Sequence, residues 1–172
     1  MRPLVLMFAA ALAVVAVCHA LLPETVATHF GPAGAADGWA PKGTFTALMA
    51  GLDILMFAIF WLTPRLVMWL PPSLVNLPHR DYWLRDARHR DRARATLERE
   101  MGGFGAGLLG FLSLMMLLTT KANLDGSQHL DMPLFVTAMA AFLVGTAVWC
   151  VHLVRAFRIP PDQPADSPVV PR

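Results

Sequence analysis

The stretch LPETVATHFGPAGAADGWAPK, residues 22–42, separates two strongly apolar runs and is the one long polar segment between them. It is punctuated by residues that predict successive turns, because glycine adopts positive φ and proline fixes φ at a negative value: Gly31, Pro32, Gly34, Gly38 and Pro41. We therefore expect an ordered loop that folds onto the helix ends at a membrane surface. Trp39 suits an interfacial anchor in such a loop.

The composition around this loop is that of a membrane protein. The 172 residues are 56% hydrophobic and only 15% charged, with a mean hydropathy of +0.51, whereas soluble domains carry roughly 25% charged residues. The net charge is only +2, and it is the distribution of charge along the chain that carries information. We expect a lipid bilayer as the surrounding partner and no nucleic acid.

Four apolar runs are long enough to cross a hydrocarbon core of about 30 Å as helices. They cover residues 3–22, 44–70, 102–120 and 133–157. The predicted fold is an all-α, four-helix transmembrane bundle in a single domain, residues 1–158. Residues 159–172 are rich in proline and are predicted to be disordered. The first run also fits a secretory signal peptide cleaved near Cys18-His19-Ala20, and we keep that alternative beside the retained helix.

The segment from residue 76 to 101 alternates arginines with acids and is predicted to form a cytoplasmic connecting helix, with i,i+4 pairs such as Arg94 and Glu98. All 14 lysines and arginines except Lys42 and Lys121 lie in this segment, at the inner end of the second span or near the termini. The positive-inside rule therefore places both termini and the arginine segment in the cytoplasm, and the loop of residues 22–42 outside.

Asp53 is the one acidic residue inside the second apolar run. A carboxylate at this depth costs about 3 kcal/mol and seldom occurs without a partner or a role. The predicted partners lie in the outer half of the bundle: His19, Thr119, Thr120 and Lys121. A structural hydrogen bond and a functional titratable group remain as the two interpretations.

The side chains predicted to recognise a ligand lie in the outer loop and directly beneath it: Glu24, His29 and Asp37 in the loop, with His19 and Asp53 below. Oxygen and imidazole donors could bind a divalent cation. Their spacing matches no metal motif, however, so we expect neither a metal nor another cofactor. Catalytic signatures such as His-Glu-x-x-His, Gly-x-Ser-x-Gly and a phosphate-binding glycine loop are absent from the sequence, which favours a non-enzymatic protein.

Small residues recur four positions apart in three of the spans. This spacing lets helix backbones approach closely in lipid. The sequence therefore predicts close helix packing at these sets: Gly103/Gly107, Gly102/Ala106/Gly110, Ala47/Gly51 and Ala141/Gly145.

Two groups of residues resemble a known family of small bacterial integral-membrane proteins of unknown function. The first-loop signature comprises Leu22-Pro23, Thr28-His29-Phe30, Gly34, Asp37-Gly38-Trp39 and Lys42. The second group looks like the cytoplasmic signature of shorter members: Asn76-Leu77-Pro78 and Asp81-Tyr82-Trp83-Leu84. The domain that carries the first-loop signature also forms the N-terminal part of the sporulation-delaying-protein immunity (SdpI-type) family.

The resemblance implies a bacterial cytoplasmic-membrane protein. In the immunity branch it implies protection from a secreted toxin and a signal relayed to a cytoplasmic repressor. This chain lacks the further C-terminal spans and the Asn-Pro-x-x-Gly-x-Arg motif of that branch, so the resemblance extends to the shared domain.

The function predicted from the sequence is recognition of an extracytoplasmic peptide or small molecule. A cytoplasmic protein would dock on the arginine segment, where the docking candidates are Asn76, Pro78, Asp81, Tyr82 and Trp83. The alternative is a small transport or membrane-assembly component that uses Asp53 as an intramembrane titratable group.

Overall fold

The computed structural model describes residues 1–159. The α-helices and the two strands follow one another along the chain: α1 (Arg2–Leu21), β1 (Thr25–Phe30), β2 (Ala36–Pro41), α2 (Lys42–Leu66), α3 (Arg80–Trp83), α4 (Ala87–Leu124) and α5 (Met132–Ala156). Short 3-10 turns at Val67–Trp69 and Pro72–Leu74 connect α2 to α3. Residues 160–172, which make up nearly all of the tail predicted to be disordered, lie outside the described residues.

Helices α1, α2, α4 and α5 are long and apolar enough to cross a membrane. This confirms the predicted mostly helical, four-span fold and indicates a multi-pass membrane protein. We call the end of the bundle that carries the strands the hairpin end. The opposite end, with the arginine-rich start of α4, is the arginine end.

The predicted connecting helix and the predicted third span form one continuous helix, α4, of 38 residues. The sequence between Pro78 and Pro133 holds no proline that would interrupt it. The ion pair between Arg94 Nε and Glu98 Oε1, at 3.0 Å, supports its polar part. The helix continues through Gly102 and Gly103, where the predicted third span begins, because two glycines in a row lower helix propensity without removing a hydrogen-bond donor.

Helices α1, α2 and α4 pack against one another and form the core. Near the hairpin end, the buried cluster comprises Cys18, Leu22, Val26, Phe45 and Met116. Nearer the arginine end, Leu4, Ala11 and Leu109 form a second cluster, with Phe57 and Phe60 of α2 packed against it. The three helices thus bury two apolar layers.

Gly105 of α4 lies directly against side chains of both α1 and α2. A methyl group at this position would lie 2.7 Å from Phe60 Cγ and 2.9 Å from Leu4 Cδ1. Gly105 is absent from the predicted small-residue sets. In contrast, a Cβ at Gly51, Gly103, Gly107 or Gly145 would meet no described atom within 4 Å. These four predicted contacts were wrong, because the glycines face away from neighbouring helices. In the set Gly102/Ala106/Gly110, however, a Cβ at Gly102 would lie 3.3 Å from Met1 N and one at Gly110 would lie 3.8 Å from Met7 Sδ.

Helix α5 packs laterally on α4 through stacked aromatic rings. The ring centroids of Phe104 and Trp149 are 4.1 Å apart, and those of Phe111 and Phe142 are 4.4 Å apart. Within residues 132–156, all of which are described, no side chain is fully buried. Helix α5 therefore adds to a three-helix core rather than completing it.

The loop of residues 22–42 is ordered, as predicted, and takes the form of an antiparallel β-hairpin. Only its tip is a tight turn, in which Gly34 adopts φ +87°. Gly38 lies inside β2, so the succession of turns predicted for the whole loop was wrong. A mostly helical fold thus carries one small two-stranded sheet.

Asp86 caps the N-terminus of α4. Its Oδ1 accepts a hydrogen bond from the backbone N–H of His89 at 2.9 Å, and His89 Nδ1 lies 2.8 Å from the same oxygen. The side-chain hydrogen bond with His89 is the main cause that lowers the pKa of Asp86. The cap therefore favours the ionised carboxylate in the folded protein.

We expect Asp86→Ala to lower the melting temperature of the detergent-solubilised protein, and Asp86→Asn to lower it less because the amide oxygen still caps the helix. The folded pKa lies below the unfolded value, so the carboxylate stabilises the folded state above the unfolded pKa of about 3.9. This contribution disappears as the pH falls through the folded pKa. Melting measured from pH 3 to 7 should show less acid dependence in both variants, and an unchanged acid limb would contradict the assignment.

Candidate functional site

Asn123, near the end of α4, fixes the hairpin to the helix bundle. Its Oδ1 accepts a hydrogen bond from the backbone N–H of Ala27 at 2.8 Å, and its Nδ2 donates to the carbonyl oxygen of Ala27 at 3.0 Å. Nδ2 also donates to Thr119 O at 2.8 Å. The side chain therefore pairs β1 as a neighbouring strand would. Asn123 was not predicted from the sequence, where its only signal is an amide at the end of an apolar run.

The tip of the hairpin is bonded to the connection between α4 and α5. The backbone N–H of Leu130 donates to Gly34 O at 2.8 Å, and that of Ala36 donates to Gln128 O at 3.0 Å. A Cβ at Gly34 would lie 2.9 Å from Leu130 O, so only glycine fits both the positive φ and the close approach. Two chain segments that are distant in sequence thus form one cap at the hairpin end.

His29 and Asp37, predicted as ligand-binding residues, lie on adjacent strands of this cap. His29 Nδ1 is hydrogen-bonded to Asp37 Oδ1, while 76% of the His29 side chain and 52% of the Asp37 side chain remain exposed. A Cβ at Gly38 would lie 2.9 Å from His29 Cβ. Gly38 therefore leaves room for the imidazole, which explains why glycine follows Asp37 in the loop.

This polar pair borders a groove of about 620 Å³ between the hairpin, α4 and α5. Apolar side chains from four segments supply most of its wall: Phe30, Pro32, Met115, Leu118, Leu130, Met132, Phe135 and Met139. Thr28 and Thr119 add hydroxyl groups. The arrangement offers an apolar surface with a hydrogen-bonding pair at its edge, and unbranched methionines can adapt to ligands of different shape.

The N-terminal third of the chain matches one family among known proteins. Residues 6–54 carry a domain of unknown function, DUF1648. This domain spans most of α1, the whole hairpin and the first half of α2, so it contains His29 and Asp37. The methionine wall of the groove, formed by Met115, Met132 and Met139, lies outside this domain. No curated protein and no solved structure matches the chain significantly.

Glu24 of the DUF1648 domain lies at the base of the hairpin, away from the groove. Its Oε1 is 2.8 Å from Lys42 Nζ, and the Lys42 backbone N–H donates to Glu24 O at 2.9 Å. The hydrogen bond and positive charge of Lys42 lower the pKa of Glu24. The structure thus brings together His29 and Asp37 but places Glu24 in a contact that joins β1 to α2.

His19 and Asp53, the two other predicted ligand residues of the DUF1648 domain, lie at different depths in the bundle. His19 Nδ1 is hydrogen-bonded to Thr46 Oγ1 at 2.9 Å. Asp53 lies two turns further along α2, or about 10 Å, and only 4% of it is exposed.

The partners predicted for Asp53 were wrong. Lys121 pairs with Asp131 at 3.2 Å, and the buried hydroxyl of Thr120 has no hydrogen-bond partner among the described residues. Asp53 itself makes no hydrogen bond or ion pair within residues 1–159. It lies on the inner face of α2 between the two apolar core layers, since Met49 packs on one layer and Phe57 on the other.

The docking candidates at the arginine end divide into two groups. Asn76, Pro78 and Asp81 are exposed. Tyr82 and Trp83 are buried against α4 and Phe157, and Trp83 Nε1 donates to Phe157 O at 2.9 Å. Their burial removes both rings from the surface that a docking partner could contact. The two rings hold α3 against the bundle. The buried indole N–H of Trp83 needs a hydrogen-bond partner, and Phe157 O supplies it.

Proposed function

We propose that this protein is a non-enzymatic membrane receptor whose groove at the hairpin end binds an amphiphilic small molecule on the extracytoplasmic side. The observation that carries the proposal is the position of the exposed His29–Asp37 pair at the edge of an otherwise apolar groove. The excess of arginine at the opposite end supports the orientation, with both termini in the cytoplasm.

The chemistry of the groove favours a ligand with an apolar body and one polar end. The wall from Met115 to Met139 can bury an alkyl or aromatic group, because burial of apolar surface stabilises by about 25 cal/mol per Å². The imidazole of His29 and the carboxylate of Asp37 can exchange their mutual hydrogen bond for bonds to a ligand hydroxyl, amide or amine. Ligand pockets generally combine these two features.

Helix α4 connects the groove to the arginine end without a break. Leu118 and Thr119 line the groove, and the same helix begins at Ala87 among the arginines. The exposed Asn76, Pro78 and Asp81 lie on the preceding segment and supply a surface for a cytoplasmic protein that reads ligand binding.

A photoaffinity experiment tests the groove directly. The probe is a dodecyl amide that carries a diazirine, added to the protein in nanodiscs, with crosslinks located by mass spectrometry. We expect crosslinks at Met115, Met132 and Met139, and a loss of about tenfold or more in Met139→Trp, because the indole fills the groove. Leu143→Trp is the matched control, since Leu143 lies one turn further along α5 and is exposed.

His29→Ala should reduce crosslinking severalfold without changing the melting temperature, and Glu24→Ala should leave it unchanged. Equal crosslinking in Met139→Trp and the wild type would contradict the proposal. Orientation is read in intact cells with a membrane-impermeant maleimide on single cysteines at the exposed positions Ala35 and Ala87. Labelling at position 35 alone supports an extracytoplasmic groove, and labelling at 87 alone would reverse it.

A second candidate function rests on Asp53, which is buried in the core without a partner among the described residues. Carboxylates of this kind mark proton or ion pathways in membrane proteins. In this alternative the protein is a small transport or membrane-assembly component in which Asp53 titrates.

The alternative predicts that reconstituted protein dissipates an imposed pH gradient, measured with pyranine trapped in proteoliposomes, and that Asp53→Asn abolishes the flux. Asp53→Asn keeps the size of the side chain and removes its charge, so loss of flux with retained folding would support a titrating role. If wild-type and Asp53→Asn vesicles leak at the same rate as empty vesicles, this alternative is wrong.

A further inference from the structure

A separate groove of about 330 Å³ lies between α1 and α2 at the arginine end. Its walls are Met1, Val5, Leu6 and Trp61, and Arg2 stands at its rim. Leu6 is 72% exposed and Val5 is 42% exposed, so the groove opens sideways from the bundle. It shares no residue with the groove at the hairpin end.

Arg65 carries a second positive charge next to Trp61, one of the wall residues. Its guanidinium lies over the ring of Trp61, 4.4 Å from the ring centroid, and its Nη1 donates to Trp61 O. These contacts hold the guanidinium in place, because a planar cation stacked on an indole loses much of its freedom. Trp61 thus links the apolar wall to a fixed cation.

Neither Arg2 nor Arg65 is neutralised by an acid in the part of the chain that the structure describes. Arg2 and Arg65 form no ion pair within residues 1–159, in contrast to Arg94, which pairs with Glu98 at 3.0 Å, and Arg99, which pairs with Glu100 at 3.1 Å. An apolar wall thus lies beside two arginines that pair with no carboxylate among residues 1–159.

The depth of the groove matches a lipid leaflet. Helix α1 has 20 residues, which corresponds to about 30 Å, the thickness of a hydrocarbon core. With α1 across the bilayer, Arg2 would lie at the interface of the arginine end, and Val5 and Leu6 would lie within the first turns of hydrocarbon. A molecule in this groove would have its charged part at Arg2 and Arg65 and its chain along Val5, Leu6 and Trp61.

We propose that this groove binds one anionic phospholipid of the leaflet at the arginine end, with its phosphate at Arg2 and Arg65 and an acyl chain on the apolar wall. A guanidinium matches the geometry and charge of a phosphate, and basic residues near an anionic leaflet add attraction that a zwitterionic lipid does not receive. The site is independent of the function proposed for the hairpin end.

Native mass spectrometry of protein extracted from nanodiscs tests this site. The nanodiscs contain equal amounts of phosphatidylglycerol and phosphatidylcholine. We expect the wild type to retain one phosphatidylglycerol at collision energies that remove phosphatidylcholine. Arg2→Gln/Arg65→Gln should weaken this binding about thirtyfold, equivalent to about 2 kcal/mol. The control Arg88→Gln/Arg92→Gln removes the same charge from exposed positions of α4 and should retain the lipid.

Two further measurements keep the result decisive. If the double variant fails to fold, Arg2→Gln alone changes only an exposed side chain and should still weaken binding severalfold. Inorganic phosphate at 10 mM should not displace the lipid, because it cannot use the apolar wall. Displacement by phosphate, equal retention of both lipids, equal loss in the control variant, or a second copy of the chain in place of the lipid would overturn the proposal.

Discussion

Gly105→Ala is expected to destabilise the three-helix core by about 1–3 kcal/mol, the usual cost of forcing extra volume into a well-packed interior. The added methyl group would lie 2.7 Å from Phe60 Cγ and 2.9 Å from Leu4 Cδ1. The ring of Phe60 cannot move aside cheaply, because it also packs edge-on against Phe104. Alanine gains up to about 1 kcal/mol over glycine in helix propensity, which offsets only part of this cost.

Gly107→Ala is the matched control, because a Cβ there meets no described atom within 4 Å. It should leave stability unchanged or raise it slightly. The free energy of unfolding can be measured by titration with sodium dodecyl sulfate in mixed micelles, followed by tryptophan fluorescence. Equal effects at positions 105 and 107 would mean that α4 does not meet α1 and α2 at Gly105.

Asn123→Ala is expected to cost about 2–4 kcal/mol and to release the hairpin from α4. The substitution leaves the N–H and carbonyl of Ala27 unpaired, and Ala27 is fully buried. Each buried polar group that loses its partner costs about 1–3 kcal/mol. Because β1 carries His29 and Phe30 at the edge of the groove, the same variant should also lose crosslinking of the dodecyl probe.

Amide hydrogen exchange gives the local measurement, with faster exchange expected at residues 25–30 in Asn123→Ala. Asn76→Ala is the control, since Asn76 is exposed at the arginine end and should change neither exchange nor stability. Unaltered protection of residues 25–30 in Asn123→Ala would show that the bonds to Gln128 and Leu130 hold the hairpin without Asn123.

The four spans could be predicted from the sequence because a run of about 20 apolar residues leaves few alternatives in lipid. The hairpin could not. Strand β2, ADGWAP, is rich in residues that are depleted in strands. It forms because bonds from Gln128, Leu130 and Asn123 hold it and its partner strand, and these residues lie more than 80 positions away.

The sequence predicts that small residues make close helix contacts, but it does not predict at which positions. Small residues four apart occur in three spans, yet most of these glycines face outward while Gly105 makes the close contact. Spacing along one helix does not say which face meets a neighbour, because the neighbour's bulky residue decides this, here Phe60. A single small residue opposite a large one leaves no repeating pattern to detect.

His29 and Asp37 could be predicted as a pair because polar residues in a tight loop end up near each other. The methionine wall could not, since methionine in a span is ordinarily core or lipid-facing. The partners of Asp53 were mispredicted because depth along α2 was judged from sequence position. In the structure His19 meets Thr46, two turns above Asp53.

The lateral position of α5 has a consequence for biosynthesis. The two buried layers of α1, α2 and α4 are complete by residue 124, before any residue of α5 has emerged from the ribosome. The first three spans can therefore assemble during translation, and α5 then packs on α4 through its stacked rings and the contact of His152 Nδ1 with Glu100 Oε2. Since Phe135 and Met139 belong to α5, the groove is complete only after the chain has been made past residue 139.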